Sequence, residues 1–263
     1  MIPTFELSKW YADCTSDDGG ALIIYHAELR WRASAIHYAS LLIHRGGLPM
    51  RSLFSLRKNP PPVVHDGKIV WKSSAWNAEG SWCDVGSALR EVLIESEAGS
   101  VEWNCVAPRS VAEIRIGDGR PHRGWGYVEH LRISIPLWRL PIRQLRWGRF
   151  VNVTDALVWI SWRGSNNGQT VYYNGSSVSA RTISDHEIVL TDGEAVLCLD
   201  KGTVLREGAL GATVLSVLPG FKRLFPASIL GIHECKWLSR AVLRRPGRAD
   251  SFGMAIHEVV EWP

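Results

Sequence analysis

The residues best placed to do chemistry lie between 124 and 135, where the chain alternates with the period of two expected of a strand. Trp125, Tyr127, Glu129, Leu131, Ile133 and Ile135 fall on one face, and Gly126, Val128, His130, Arg132 and Ser134 on the other. Glu129 is therefore a lone carboxyl among rings and aliphatics. Burial disfavours the anion, so a carboxyl in such a setting holds its proton near neutrality and is suited to general-acid work. Hydrating an isolated alkene requires such an acid: protonation gives a tertiary carbocation, aromatic faces stabilise it, and water captures it. Trp125 and Tyr127 share the face of Glu129 and would supply those rings. The same pattern also suits a Glu129 paired with a buried arginine, Arg146 or Arg149, or one facing solvent. Asp13, two residues from Tyr11 on one face of the first strand, is a second acid. Its alternative is a salt-bridged or turn-stabilising aspartate beside the adjoining hairpin.

Other polar groups divide by face. In "ALIIYHAELRW" His26, Glu28 and Arg30 lie on one side, with Ile23, Tyr25, Ala27, Leu29 and Trp31 on the other. That split predicts a half-exposed strand whose polar face meets solvent or lines a ligand cavity, and His37 and Tyr38 carry the same ambiguity. Glu129-His130, His186-Glu187, His233-Glu234 and His257-Glu258 are neighbours in sequence. Adjacent strand residues point to opposite faces, so none of these pairs is expected to ligate one metal. Met254, Ile256, Glu258, Val260 and Trp262 repeat the pattern of one glutamate on an apolar face, which points to a second polar spot or to a buried ion pair.

Familiar catalytic motifs do not occur. G-x-G-x-x-G, G-x-x-x-x-G-K-[ST] and G-x-S-x-G are missing from the sequence, so dinucleotide, phosphate-loop and serine-hydrolase chemistry has no support and no cofactor is expected. Arg139, Arg143, Arg146 and Arg149 alternate with Trp138 and Trp147 in a pattern that suits single-stranded nucleic acid. Pro136 and Pro141 favour a connector crossing between two barrels instead, and no nucleic-acid partner is expected.

The elements that must position these groups are strands. The 263 residues hold 30 basic and 26 acidic side chains, interleaved along the chain, for a net charge of +4. Tryptophan is overrepresented, with 13 against six each of Phe and Tyr, which suits a barrel core, the wall of an apolar pocket or a carbohydrate platform. Cys14, Cys83, Cys105, Cys198 and Cys235 are odd in number and widely spaced, as expected of reduced thiols. The sequence has neither an apolar run of about 18 residues nor a leader pattern, and the expected location is cytoplasmic. Turn signals such as "DDGG" at 17–20, "HRGG" at 44–47, "GSNNG" at 164–168 and "TDGE" at 191–194 separate many short strands, the mark of an all-β sandwich or barrel. The helix candidates are 85–96, within which "LREVLIE" also alternates as a strand, and a short turn near 218–226. Gly126 and Gly253 are each followed four places on by a histidine, an echo that suggests two units, 1–150 and 151–263.

Trp10-Tyr11-Ala12-Asp13, followed by Asp17-Asp18-Gly19-Gly20 and an aromatic-rich strand, resembles the opening of the lipocalin-like carotenoid 1,2-hydratase (hydroxyneurosporene synthase) and attachment-protein family. Gly126-Tyr127-Val128-Glu129-His130 resembles that family's central strand. The resemblance implies two tandem lipocalin-like antiparallel β-barrels with few helices. Together with the strand patterns it implies a long apolar isoprenoid or polyene ligand in a barrel cavity, with Glu129 and Asp13 as catalytic acids for hydration or cyclisation. Trp10, Tyr11, Trp125, Tyr127, His130 and His26 would bind that ligand, and peripheral membrane contact would supply it. Ser8-Lys9 stands where the family often carries a glutamate, and a single Trp precedes Tyr11. A non-catalytic carrier and a carbohydrate-active protein with tryptophan platforms and paired carboxylates are the alternatives.

Overall fold

The computed structural model describes residues 5–32, 34–191, 195–213 and 226–263. The chain divides into two compact units, Met1–Pro136 and Leu137–Pro263. The first holds β1 (Phe5–Thr15), β2 (Ala21–Trp31), β3 (Ser34–His44), β4 (Arg51–Ser55), β5 (Val63–His65), β6 (Lys68–Ser73), β7 (Ala78–Asp84), β8 (Leu89–Ser96), β9 (Gly99–Ile116) and β10 (His122–Ile133). The second holds β11 (Ile142–Val151), β12 (Ala156–Gly164), β13 (Gly168–Tyr173), β14 (Ser176–Ser177), β15 (Ala180–Ile183), β16 (Glu187–Leu190), β17 (Val196–Leu199), β18 (Thr203–Ala209), β19 (His233–Arg244) and β20 (Ser251–Glu261).

Each unit is one curled antiparallel sheet of ten strands, a lipocalin-like half-barrel. The orders β4-β3-β2-β1-β10-β9-β7-β6-β5 and β14-β13-β12-β11-β20-β19-β17-β16-β15 are the same topology used twice. In the first unit the first and last strands are neighbours, paired from Leu7↔Ile133 to Thr15↔Trp125. The long β9 pairs with β8 over its first half and with β7 over its second, and its ladder to β10 shifts register between Gly126 and Glu129. Such irregularities bend a strand and let a sheet curl. The curl brings Ala12, Ile24, Leu41, Trp71, Trp82, Ile114 and Val128 into one inner cluster. Phe150, Leu157, Trp159, Leu197, Leu243 and Ala255 belong to the corresponding cluster of the second unit.

Several expectations are corrected. β11, assigned from sequence partly to the first half and partly to a connector, is an interior strand of the second sheet, because it pairs with both β12 and β20. Arg149 is buried there and donates to the Met254 carbonyl at 2.9 Å, and Arg146 pairs with Asp185. Between β10 and β11 only residues 134–141 remain outside strands, with a short 3-10 turn at Leu137–Arg139. Residues 89–96 form a strand rather than a helix, since their alternation is satisfied by pairing with β9. The expected turn near 218–226 lies outside the described residues except for Pro226, which precedes the short helix Ala227–Leu230. Residues 192–194 of "TDGE" are also outside them. The structural counterpart of Gly253 is Gly124: a Cβ at either would run into the backbone carbonyl closing the neighbouring strand, Thr15 or Val151. No helix among the described residues is long and apolar enough to cross a membrane.

Tryptophan rings pack against glycines so closely that a side chain there would push the strands apart. A Cβ on Gly126 would come within 2.6 Å of the Trp82 ring and 2.7 Å of the Asp13 carbonyl, and one on Gly148 within 2.2 Å of Trp159. The Trp82 indole N–H donates to that same Asp13 carbonyl at 2.6 Å, fixing the backbone at Asp13. Overpacking a filled core costs about 1–3 kcal/mol. Gly126→Ala is expected to lower stability by about that amount in urea denaturation, with little change in the denaturant slope.

His257 packs inside the second half-barrel, 3% exposed, with Nε2 2.9 Å from the Ser239 hydroxyl and its ring stacked on Trp237. Burial, then the positive charges of Lys236, Lys201 and Arg146, lower its pKa from 6.5 to about 3. In that interval the unfolded chain binds the proton and the folded chain does not. The stabilisation is thus complete above pH 6.5 and is lost as pH falls towards 3, at on the order of 1 kcal/mol per pH unit. Thermal denaturation at a series of pH values should show this slope, and His257→Gln should flatten it.

Candidate functional site

The register of β1 and β10 sets Tyr11 directly opposite Glu129 and Asp13 directly opposite Tyr127. Tyr25 of β2 faces Tyr11, and Cys105 of β9 faces Glu129. Residues directly opposed in an antiparallel pair project to the same side. All six therefore share the face turned away from the inner cluster, which takes Ala12, Cys14, Ile24 and Val128 from the same strands. That outer face is nonetheless buried: Asp13 is 0% and Glu129 7% exposed, and Tyr11, Tyr127, Trp103 and Cys105 are buried with them.

Each carboxyl is hydrogen-bonded by the tyrosine two residues before it. Tyr11 Oη donates to Asp13 Oδ2 at 2.8 Å, and Tyr127 Oη donates to Glu129 Oε2 at 2.7 Å. Trp103 Nε1 adds a second donor to Glu129 Oε2 at 2.6 Å. Tyr11 meets Tyr25 and Tyr127 edge-on, with centroids 5.3 and 6.0 Å apart. Burial, then the neighbouring Cys105 and Glu129, push the Tyr127 hydroxyl well above its usual range. Burial likewise pushes up the Cys105 thiol. Tyr127 is therefore a fixed donor. The arrangement provides two carboxyls, phenol hydroxyls able to pass protons, and aromatic rings on one continuous patch.

The residues singled out in sequence separate onto two faces. Tyr11, Asp13, Trp125, Tyr127 and Glu129 belong to the outer patch, Trp125 being half-buried with its carbonyl accepting from Thr15 Oγ1 at 3.2 Å. Trp10, His26 and His130 lie on the inner face, in one row across β10, β1 and β2. The Trp10 and His130 rings stack at 4.4 Å and 14°, His130 Nε2 is 2.8 Å from Ser8 Oγ, and His26 Nε2 is 2.9 Å from the Asn59 carbonyl. Burial lowers the pKa of both histidines. The expectation that His26 marks a half-exposed strand is corrected: Leu22 and Ile24 extend its face into the core, and β2 is buried from Ala21 through His26.

Trp103, Cys105 and Tyr25 escaped the sequence reading. Tyr25 was visible as an aromatic on an apolar face, whereas nothing in residue spacing ties Trp103 to Glu129 until β9 and β10 are in register. The second unit does not repeat the chemistry. At its corresponding lattice Trp147 faces Glu258 and Arg149 faces Ile256, and Glu258 pairs with Lys236.

No family model and no curated protein sequence matches the chain. Solved structures do match in fold. CghA with Sch210972 aligns with a TM-score of 0.65 at 10% identity, over 98% of this chain and 89% of that one. An AttH-like protein from Nitrosomonas europaea aligns with a TM-score of 0.55 at 12% identity, over 97% and 92%. Kievitone hydratase from Nectria haematococca aligns with a TM-score of 0.55 at 7% identity, over 97% and 88%. At such identities the likeness is one of fold, the tandem lipocalin-like architecture that includes a hydratase, and it does not carry an activity with it.

Proposed function

We propose that the chain binds a small organic molecule against the tyrosine–carboxyl patch of its first half-barrel and converts it by acid-initiated hydration or cyclisation. The observation that carries this reading is the pair of buried carboxyls, Asp13 and Glu129, on adjacent strands, each held by its own tyrosine. In this reading Glu129, held at Oε2 by the Tyr127 hydroxyl and the Trp103 indole N–H, delivers a proton to the substrate. In hydration that proton passes to an alkene carbon, the neighbouring rings face the cation, water adds to it, and a carboxylate recovers the proton from the added water. In cyclisation a second double bond takes the place of water. An isoprenoid or polyene collected at a membrane surface is the substrate class that the family resemblance suggests. Kievitone hydratase, a fold neighbour, supports the reaction class by its name.

A carrier without activity is the second reading, favoured by the observation that chain residues already donate to both carboxyls. The carbohydrate reading loses its expected signature, because all thirteen tryptophans are buried or half-buried and offer no exposed stacking row. Native mass spectrometry of wild type and Glu129→Gln, each purified from the natural host, separates the remaining two. We expect Glu129→Gln to retain an unsaturated compound that wild type converts to a product 18 mass units heavier or to an isomer. A compound retained unchanged by both proteins would leave the carrier. No bound compound in either, with Glu129→Gln merely less stable, would overturn both.

A further inference from the structure

The inner face of the first half-barrel, opposite the carboxyl patch, changes character along its strands. Towards the β1–β2 hairpin it is the apolar cluster, and away from it the same face carries Ser8, Trp10, His26, Glu28, His37 and His130. Asn104 of β9 continues the row beside His130.

Four polar atoms towards this polar end are among those buried with no hydrogen-bond partner among the described residues: His26 Nδ1, His37 Nδ1, Asn104 Oδ1 and Trp71 Nε1. His26 is itself 5% exposed, and its other nitrogen is already committed to Asn59. His37 Nδ1 stands 3.7 Å from Glu28 Oε2, too far for a hydrogen bond. An unsatisfied buried donor or acceptor costs about 1–3 kcal/mol, and four in one half-barrel would consume much of the stability of a domain. Polar groups brought together in this way are normally met by water or a ligand. Flat surfaces adjoin them: Trp10 stacks on His130, and Trp71 lies 6.1 Å from Trp76. Trp10, His37, Asn104 and His130 are half-buried, so the row has an edge open to entry.

We infer that the inner polar end of the first half-barrel binds a flat, neutral, hydroxyl-bearing ring, a phenol or a related hydroxylated aromatic, against Trp10 and His130 with its hydroxyls on His26, His37 and Asn104. A hydroxyl both donates and accepts, as two imidazole nitrogens and an amide require. Burial favours the uncharged form of His26 and His130, which suits a neutral ligand over an anion. This site uses the opposite face from Asp13 and Glu129 and does not rest on the proposed reaction.

The test is a titration of the full chain with phenol, and with toluene as a match in shape without the hydroxyl, followed by the imidazole nitrogen NMR resonances. Phenol should shift His26 and His37 saturably while toluene does not. Asn104→Leu and His37→Leu, both at half-buried positions, should weaken phenol at least tenfold while keeping the wild-type melting profile, and His26→Leu should abolish it. Phenol binding should survive Glu129→Gln, so this inference and the proposed reaction fail separately. Imidazole resonances unmoved by phenol, shifts that persist in Asn104→Leu and His37→Leu, or bound waters that phenol does not displace would each overturn it.

Discussion

A carboxyl taken out of water has to be given hydrogen-bond donors, and the centre of the first half-barrel is arranged around that requirement. Asp13 and Glu129 are buried on adjacent strands, and each has a tyrosine hydroxyl on it from two residues away. A spacing of two keeps donor and acceptor on one side of a strand, so each bond forms within its own segment. What the sheet adds is the meeting of the two segments and the third donor, Trp103 from β9. If the ladder between β1 and β10 slipped by one residue, one strand would turn its tyrosine and acid towards the apolar cluster, and both carboxyl pairs would lose their common face. The chemistry and the register therefore constrain each other.

Those strands are buried on both sides, and this accounts for their composition. One face supplies Ala12, Cys14 and Val128 to the inner cluster while the other supplies the tyrosines and acids. Close approach on the inner side depends on Gly126, over which Trp82 lies, and the Trp82 N–H ties the Asp13 backbone to the core. Packing inside the curl thus helps to place a carboxyl outside it. The second half-barrel uses the same strand order and has a tryptophan-on-glycine contact of its own at Gly148, yet its corresponding outer positions hold Arg149, Lys236 and Glu258. One architecture serves two charge patterns, because backbone pairing fixes where side chains sit and leaves their chemistry open.

Much of the fold was legible in the sequence. Alternation and turn residues marked the strands, including the hairpin after Asp13, and the sharing of one strand face by Trp125, Tyr127 and Glu129 was visible without coordinates. Where reading failed, a longer-range interaction decided. Residues 89–96 carry both a helical and a strand pattern, and pairing with β9 settles them. The arginines and prolines of 136–149 looked like a connector, because the sequence does not show that β12 and β20 flank Ile142–Val151. The His26 face read as a polar one meeting solvent or lining a cavity, because Leu22 and Ile24 read as part of an apolar run rather than as the continuation of that face.

By itself the sequence determined the all-β class, the two-unit organisation, and the placing of Asp13 with Tyr11 and of Glu129 with Tyr127 on one strand face, all consequences of period-two geometry acting over a few residues. Only the tertiary structure decided that Tyr11–Asp13 and Tyr127–Glu129 lie side by side, that Trp103 joins them, and that Trp10, His26 and His130 stand on the opposite face. Those relations connect residues on different strands, many of them far apart in sequence, through strand register. Register is set by which side chains the curled sheet must bury, a property of the whole sheet that no local stretch of sequence contains.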